Sequence, residues 1–272
     1  MQLTFSNKLL INCLPEKKTP LPIQLFRLTR LVLHTLYGIT VAATILPRVS
    51  AATRDQIIRG WSRQLLGILN IQVIAKSHIP GEDVRSVMFV ANHISWLDIY
   101  ALNSIRTVRF IAKSDIRSWP VLGWLVAQAN TLFIDREKKQ DVSRMVETVA
   151  KSIMAGDCLC YFPEGTTTDG TELRPFKGSL MQAAIDTNTA IRPVLIRYPK
   201  PDGSINTAMA YHGETTLWQS LRRVLAQPRS TVELDFAPPI ASTGHERRGL
   251  CLMARQSIAA RLNLGSPEER EP

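Results

Sequence analysis

The sequence predicts an α/β fold: a largely parallel central sheet flanked by helices, with an N-terminal apolar and amphipathic helical segment that associates with a membrane. Three observations carry this. From Ile71 onward, short apolar runs alternate with helical stretches, the pattern of strand–helix–strand units. Upstream, Leu31–Leu46 is a mostly apolar run with Arg27 and Arg30 before it and Arg48 after it. A composition of 45% apolar and 21% charged residues over 272 positions is enough for a sizeable core.

In chain order, residues 1–20 carry Pro15, Lys17, Lys18 and Pro20 and read as a loose lead-in. As a helix, Leu31–Leu46 would be roughly 24 Å long, short of the roughly 30 Å hydrocarbon core of a bilayer. It suits the interface plane. It could also span if Phe26 and Leu28 join it and the arginines snorkel, or pack on the domain as a buried helix. Thr53-x-x-Gln56 resembles a capping box opening a second helix that runs to about Asn70. Its stripe of Ile57, Trp61, Leu65, Ile68 and Leu69 faces either lipid or core.

Residues 1–70 are therefore assigned to lead-in and membrane-associating helices, 71–264 to the α/β domain, and 265–272 to a disordered tail. The expected strands are Ile71–Ala75, Val87–Ala91, Arg109–Ala112, Thr131–Ile134, Cys158–Phe162, Ile191–Ile196 and Thr231–Phe236. The expected helices are Leu97–Ser104, Val121–Ala129, Asp141–Ala155, Gly178–Asn188 and Leu250–Leu262, with Gly156-Asp157 ending the third of these.

A net charge of +10 calls for an anionic partner. The basic residues are spread along the chain, and aromatics do not interleave with them as stacking platforms would. A membrane or small anionic substrate is thus favoured, and no nucleic acid is expected. Four cysteines show neither zinc spacing nor a disulfide framework, which fits a reducing setting. The N-terminus lacks the pattern of a signal peptide. No metal site is expected, since one would have to pair His93 with distant carboxylates.

Candidate chemistry gathers after the apolar runs. Asn92-His93-Ile94-Ser95-Trp96-Leu97-Asp98 lies between a strand and a helix. On a regular helix, positions five apart differ by about 140°, so His93 and Asp98 meet only if His93 is on the turn. There Asp98 could accept the imidazole Nδ1–H and leave Nε2 as a general base. The same residues also read as a Ser95-x-x-Asp98 capping box beside an ordinary loop histidine. Asp135-Arg136 and Pro163-Glu164-Gly165-Thr166-Thr167-Thr168 follow two further strands. Arg136 and Lys177 are candidate anion contacts, each with a plain surface alternative, and the Gly165 turn is either an oxygen-binding loop or simply a strand end.

Four ordered blocks carry a resemblance: Asn92-His93-x4-Asp98, Phe133-Ile134-Asp135-Arg136, Phe162-Pro163-Glu164-Gly165-Thr166 and Arg192-Pro193-Val194. Together they resemble the glycerolipid acyltransferases, and above all the bacterial 1-acyl-glycerol-3-phosphate acyltransferases. Phe176-Lys177-Gly178 and Lys113…Pro120…Gly123 stand in their usual places. Asn130, Asp115 and Thr167-Thr168 depart from the usual glycine, glutamate and Arg-Ser, which bears on acceptor preference.

The resemblance implies transfer of a fatty acyl group from acyl-CoA or acyl-carrier protein to the free hydroxyl of 1-acyl-glycerol-3-phosphate. A sibling acceptor such as lyso-ornithine lipid, or glycerol 3-phosphate, is the alternative. It implies His93 and Asp98 as catalytic residues, and Asn92, Lys113, Arg136, Glu164, Gly165, Thr166 and Lys177 as substrate-binding residues. No cofactor beyond the acyl co-substrate is implied, and the location is the inner (cytoplasmic) membrane with the site facing the cytoplasm. A metal-dependent phosphoesterase and a non-catalytic membrane-surface protein are the more remote readings.

Overall fold

The computed structural model describes residues 18–81, 83–113, 131–134 and 139–263. Among these, seven strands form one sheet: β1 (Ile71–Ser77), β2 (Val87–Ala91), β3 (Arg109–Lys113), β4 (Leu132–Ile134), β5 (Cys158–Tyr161), β6 (Ile191–Arg197) and β7 (Ser230–Phe236). The spatial order is β1-β7-β6-β2-β5-β3-β4, and every neighbouring pair is parallel except β6–β7. The α/β class and the largely parallel sheet are as expected. All five residues of β2 are buried, which is why Val87–Ala91 reads as an unbroken apolar run.

Side-chain alternation along the strands divides the core in two. Phe89, Ala91, Cys158 and Cys160 join one cluster with Leu65, Leu66 and Leu69 of α2 (Ala51–Ile68) and its cap, Leu97, Ala101 and Leu102 of α3 (Leu97–Ile105), and Val224 and Leu225 further on. Met88, Val90, Leu159 and Tyr161 join the other with α4 (Lys139–Met154), α5 (Met181–Asp186) and α7 (Arg247–Asn263). The α2 stripe thus faces the core and not lipid.

Several boundaries differ from expectation. α1 runs Leu21–Thr44, 24 residues and so about 36 Å, which is longer than the hydrocarbon core and not shorter. Arg27 and Arg30 lie within it because they point along its surface; Arg27 donates to the Gln227 and Pro228 carbonyls. Ser50, not Thr53, caps α2, its Oγ accepting the Thr53 N–H at 3.2 Å. α5 is shorter than Gly178–Asn188, since Gly178 is taken up by close approach to Cys251 and Asn188 turns to φ 51°. Gly156, at φ 91°, does end α4. The expected helix Val121–Ala129 lies outside the described residues. One helix was not foreseen: α6, Leu217–Ala226, with a full Thr216/Gln219 capping box. Its signals are local all the same: a Thr216-x-x-Gln219 capping box, then Leu217, Leu221, Val224 and Leu225 spaced along one helix face.

α1 crosses α2 at Gly38, where a Cβ would lie 2.5 Å from Trp61 Nε1. His34 stacks on Trp61 with ring centroids 4.7 Å apart, and the Trp61 indole N–H donates to the His34 carbonyl at 3.2 Å. The opposite side of α1 leaves Leu21, Leu25, Phe26, Leu33, Leu36 and Tyr37 more than half exposed. Gly38→Val should force α1 off α2 and lower stability by about 1–3 kcal/mol, read by thermal denaturation in detergent.

Candidate active site

β2, β5 and β6 are adjacent and parallel, so their carboxyl ends open at one edge of the sheet, where such folds concentrate chemistry. The loop after β2 holds His93 and Asp98. His93 Nδ1 lies 2.8 Å from Asp98 Oδ2. That same oxygen accepts the Ile94 and Ser95 N–H groups at 2.7 and 3.0 Å. Asp98 Oδ1 accepts the Tyr198 hydroxyl, from just beyond β6, at 2.6 Å. The carboxylate is wholly buried, and these donors replace the water it has lost.

The capping reading proves half right. Asp98 reaches back to the Ser95 N–H as the acidic member of a capping box does, but α3 is capped by Trp96 with no side-chain acceptor. One carboxylate therefore anchors the helix start and orients the imidazole. His93 keeps 19% side-chain exposure, and its Nε2 makes no hydrogen bond among the described residues. Its ring stacks on Phe162 at 4.0 Å between centroids, and Phe162 stacks in turn on Phe110. An imidazole held this way, with Nδ1–H given to a carboxylate, has Nε2 ready to take a proton.

The loop after β5 closes around this pair. Glu164 is buried, and its Oε1 accepts the His93 N–H at 2.8 Å while Oε2 accepts the Arg174 N–H at 3.1 Å. Burial pushes the Glu164 carboxyl up, partly offset by those two amides. The Thr168 N–H donates to the His93 carbonyl at 2.9 Å. Gly165 makes the tight turn at φ 72° that its missing Cβ permits. Thr166 is exposed beside it.

The remaining expected residues divide. Asn92 is buried with its amide committed to β6: its Nδ2 donates to the Ile196 carbonyl at 2.9 Å, and its Oδ1 accepts the Ile196 N–H at 2.7 Å. It fixes the loop's origin. The Lys177 main chain lies beside the Glu164 loop, its N–H donating to the Pro163 carbonyl at 2.9 Å, with its side chain exposed. Lys113 ends β3 at this same sheet edge, paired with Ile134. Arg136 lies outside the described residues. Sequence reasoning missed Tyr198 and the stacking role of Phe162. Tyr198 follows directly on the strand of the Arg192-Pro193-Val194 block, but nothing local says that β6 lies next to β2. Burial, and then the facing carboxylate, hold its phenol well above its ordinary value, so it is a donor to Asp98 throughout the neutral range.

The acyltransferase family model matches residues 70–197, the segment that contributes all of these groups except Tyr198. A lyso-ornithine lipid O-acyltransferase of Pseudomonas aeruginosa is 36% identical over 207 residues, covering 75% of this chain and 78% of its own. A 1-acyl-sn-glycerol-3-phosphate acyltransferase of Neisseria meningitidis is 34% identical over 184 residues, covering 68% and 71% respectively. The crystal structure of the 1-acyl-sn-glycerophosphate acyltransferase PlsC of Thermotoga maritima superposes with a TM-score of 0.61 at 19% identity, over 90% of this chain and 99% of that one. At that identity the likeness speaks for the fold.

Tyr198→Phe should leave Asp98 one donor short, costing about 1–3 kcal/mol of stability. Thermal denaturation of the purified protein checks this, and Asp98→Asn in the same assay should be at least as damaging.

Proposed function

Because the chain belongs to the family of lysolipid and glycerolipid O-acyltransferases, we propose that His93 is its general base. In this reading it moves a fatty acyl group from acyl-CoA or acyl-carrier protein to the free hydroxyl of 1-acyl-glycerol-3-phosphate, giving phosphatidic acid. The observation that supports this best is the Asp98-held imidazole with its second nitrogen unengaged at the mouth of the site.

An alcohol is a weak nucleophile at neutral pH, so its proton must leave as it attacks. His93 Nε2 takes that proton while the hydroxyl oxygen bonds to the thioester carbonyl carbon. Asp98 stabilises the imidazolium that forms, as in other histidine–carboxylate pairs. The tetrahedral adduct then collapses, the carbon–sulfur bond breaks, and His93 returns the proton to the departing thiolate. No acyl-enzyme is needed. Lys113, Arg136 and Lys177 are proposed to bind the acceptor phosphate. Glu164 holds the two loops together, and Gly165 and Thr166 shape the acceptor pocket. The acyl donors are soluble thioesters of the cell interior, so the site is proposed to face the cytoplasm from the inner membrane, with α1 in contact with the bilayer.

A second acceptor has its own support. The Pseudomonas relative, at 36% identity, is named for lyso-ornithine lipid, and an alcohol of such a lipid would need a base to take its proton just as the glycerol hydroxyl does. The two acceptors differ in whether the headgroup is a phosphate or an amino acid.

His93→Ala should lower turnover by roughly 10²–10⁴-fold with the protein still folded and membrane-bound; retained activity would sink the mechanism. Incubating purified protein with labelled acyl-CoA and a panel of lysolipids, read by mass spectrometry, should show one acceptor dominating. Phosphatidic acid is the product expected. Acylated lyso-ornithine lipid in its place would decide for the sibling reading, and no product from any lysolipid would refute both.

A further inference from the structure

The proposed chemistry uses the loop 93–98 but leaves its neighbour α6 unexplained. That helix opens with Leu217 and Trp218, 38% and 55% exposed, while Ser220, Val224 and Leu225 fill the core behind them. Gln219, Arg222 and Arg223 complete the exposed side, and the helix carries no carboxylate anywhere along it. A solvated helix N-terminus ordinarily favours acidic residues. An exposed indole and leucine beside two arginines have instead the composition of an interfacial anchor: the ring enters the headgroup layer, and the arginines reach lipid phosphates.

Two sets of bonds give this surface a place in the enzyme. The Trp96 indole, within the catalytic loop, donates to Ser220 Oγ at 3.1 Å, and the Ile94 carbonyl accepts the Tyr211 N–H at 2.9 Å. At the other end of α6, the Thr19 N–H donates to the Ala226 carbonyl at 2.9 Å, and Arg27 of α1 bonds the Gln227 and Pro228 carbonyls. α6 thus joins the catalytic loop to the exposed apolar helix α1.

We propose that Leu217, Trp218, Arg222 and Arg223 form a second contact with an anionic bilayer, separate from α1, that holds the His93 loop at the lipid surface. The proposal rests on the acyl-transfer reading, since a lysolipid acceptor lies in the bilayer. Continuity with α1 and the apolar and cationic residues of α6, with Glu214 the single flanking carboxylate, favour a membrane over a soluble acidic protein as the occupant.

Hydrogen exchange of the full chain should show residues 211–223 protected by phosphatidylcholine vesicles containing phosphatidylglycerol, and protected less by phosphatidylcholine alone. With Leu217→Ser and Trp218→Ser combined, the apparent KM for a vesicle-embedded lysolipid should rise about tenfold. Turnover of a monomeric short-chain lysolipid should be unchanged. Arg222→Glu with Arg223→Glu should impair the reaction on anionic vesicles more than on neutral ones. Absent protection with an unaltered KM would overturn the proposal. So would equal losses on both acceptors, which would mark α6 as mere support for Trp96, or a loss confined to a carrier-protein donor, which would mark a protein partner. If the unaltered protein acylates no lysolipid, the functional reading fails, while the exchange measurement still decides for or against the bilayer contact.

Discussion

Asp98 is a carboxylate removed entirely from water, and such a group persists only where donors replace its hydration. Its donors come from separate parts of the chain: the amides of Ile94 and Ser95, the imidazole of His93, and the hydroxyl of Tyr198. The loop after β2 must therefore curl around the start of α3, and β6 must lie beside β2. Asn92 enforces that adjacency by bonding Ile196 through both amide atoms, as though β2 continued for one more residue. Satisfying one buried charge sets the orientation of the imidazole, the entry angle of a helix and the partner of a central strand.

A second device surrounds the first. Glu164, also buried, accepts one amide from the His93 loop and one from Arg174, so the loops after β2 and β5 cannot move apart without leaving a carboxylate unpaired. Phe162 supports the imidazole face from the end of β5. The histidine is thus held at its edge by Asp98, at its main chain by Glu164 and Thr168, and at its face by a ring. Rigid placement of this kind is what proton transfer at one nitrogen requires.

Aromatic contacts carry this order outward. Tyr37, His34, Trp61, Tyr100 and Trp96 form successive pairs with centroids 4.7–6.4 Å apart, running from α1 through α2 and α3 to the catalytic loop. Trp96 then passes to α6 through Ser220. Helix α1, with its exposed apolar side, and Trp96 of the reactive loop are parts of one packed unit. A bilayer contact at α1 therefore has a defined position relative to His93.

Much of this was legible in the residues alone, wherever the cause was local. Alternating apolar runs marked all seven described strands, because burial on both sheet faces leaves an unbroken run such as Val87–Ala91. Gly156 marked a helix end, because its conformation disfavours other residues. The spacing of His93 and Asp98 required a turn between strand and helix, and the order of the four blocks pointed to the reaction class. The capping box and apolar spacing of α6 were equally local and were overlooked, whereas periodicity failed at α1, whose length passes through two arginines. What only the tertiary structure decided is strand order and its consequences. Tyr198 is 100 positions from Asp98 in the chain and 2.6 Å away in space. Glu164 holds a loop 71 residues upstream. The sequence determined which segments form strands and helices and where reactive side chains end them, since those follow from neighbours within a few residues. Which ends meet depends on how a sheet buries both of its faces at once, and no local pattern encodes that.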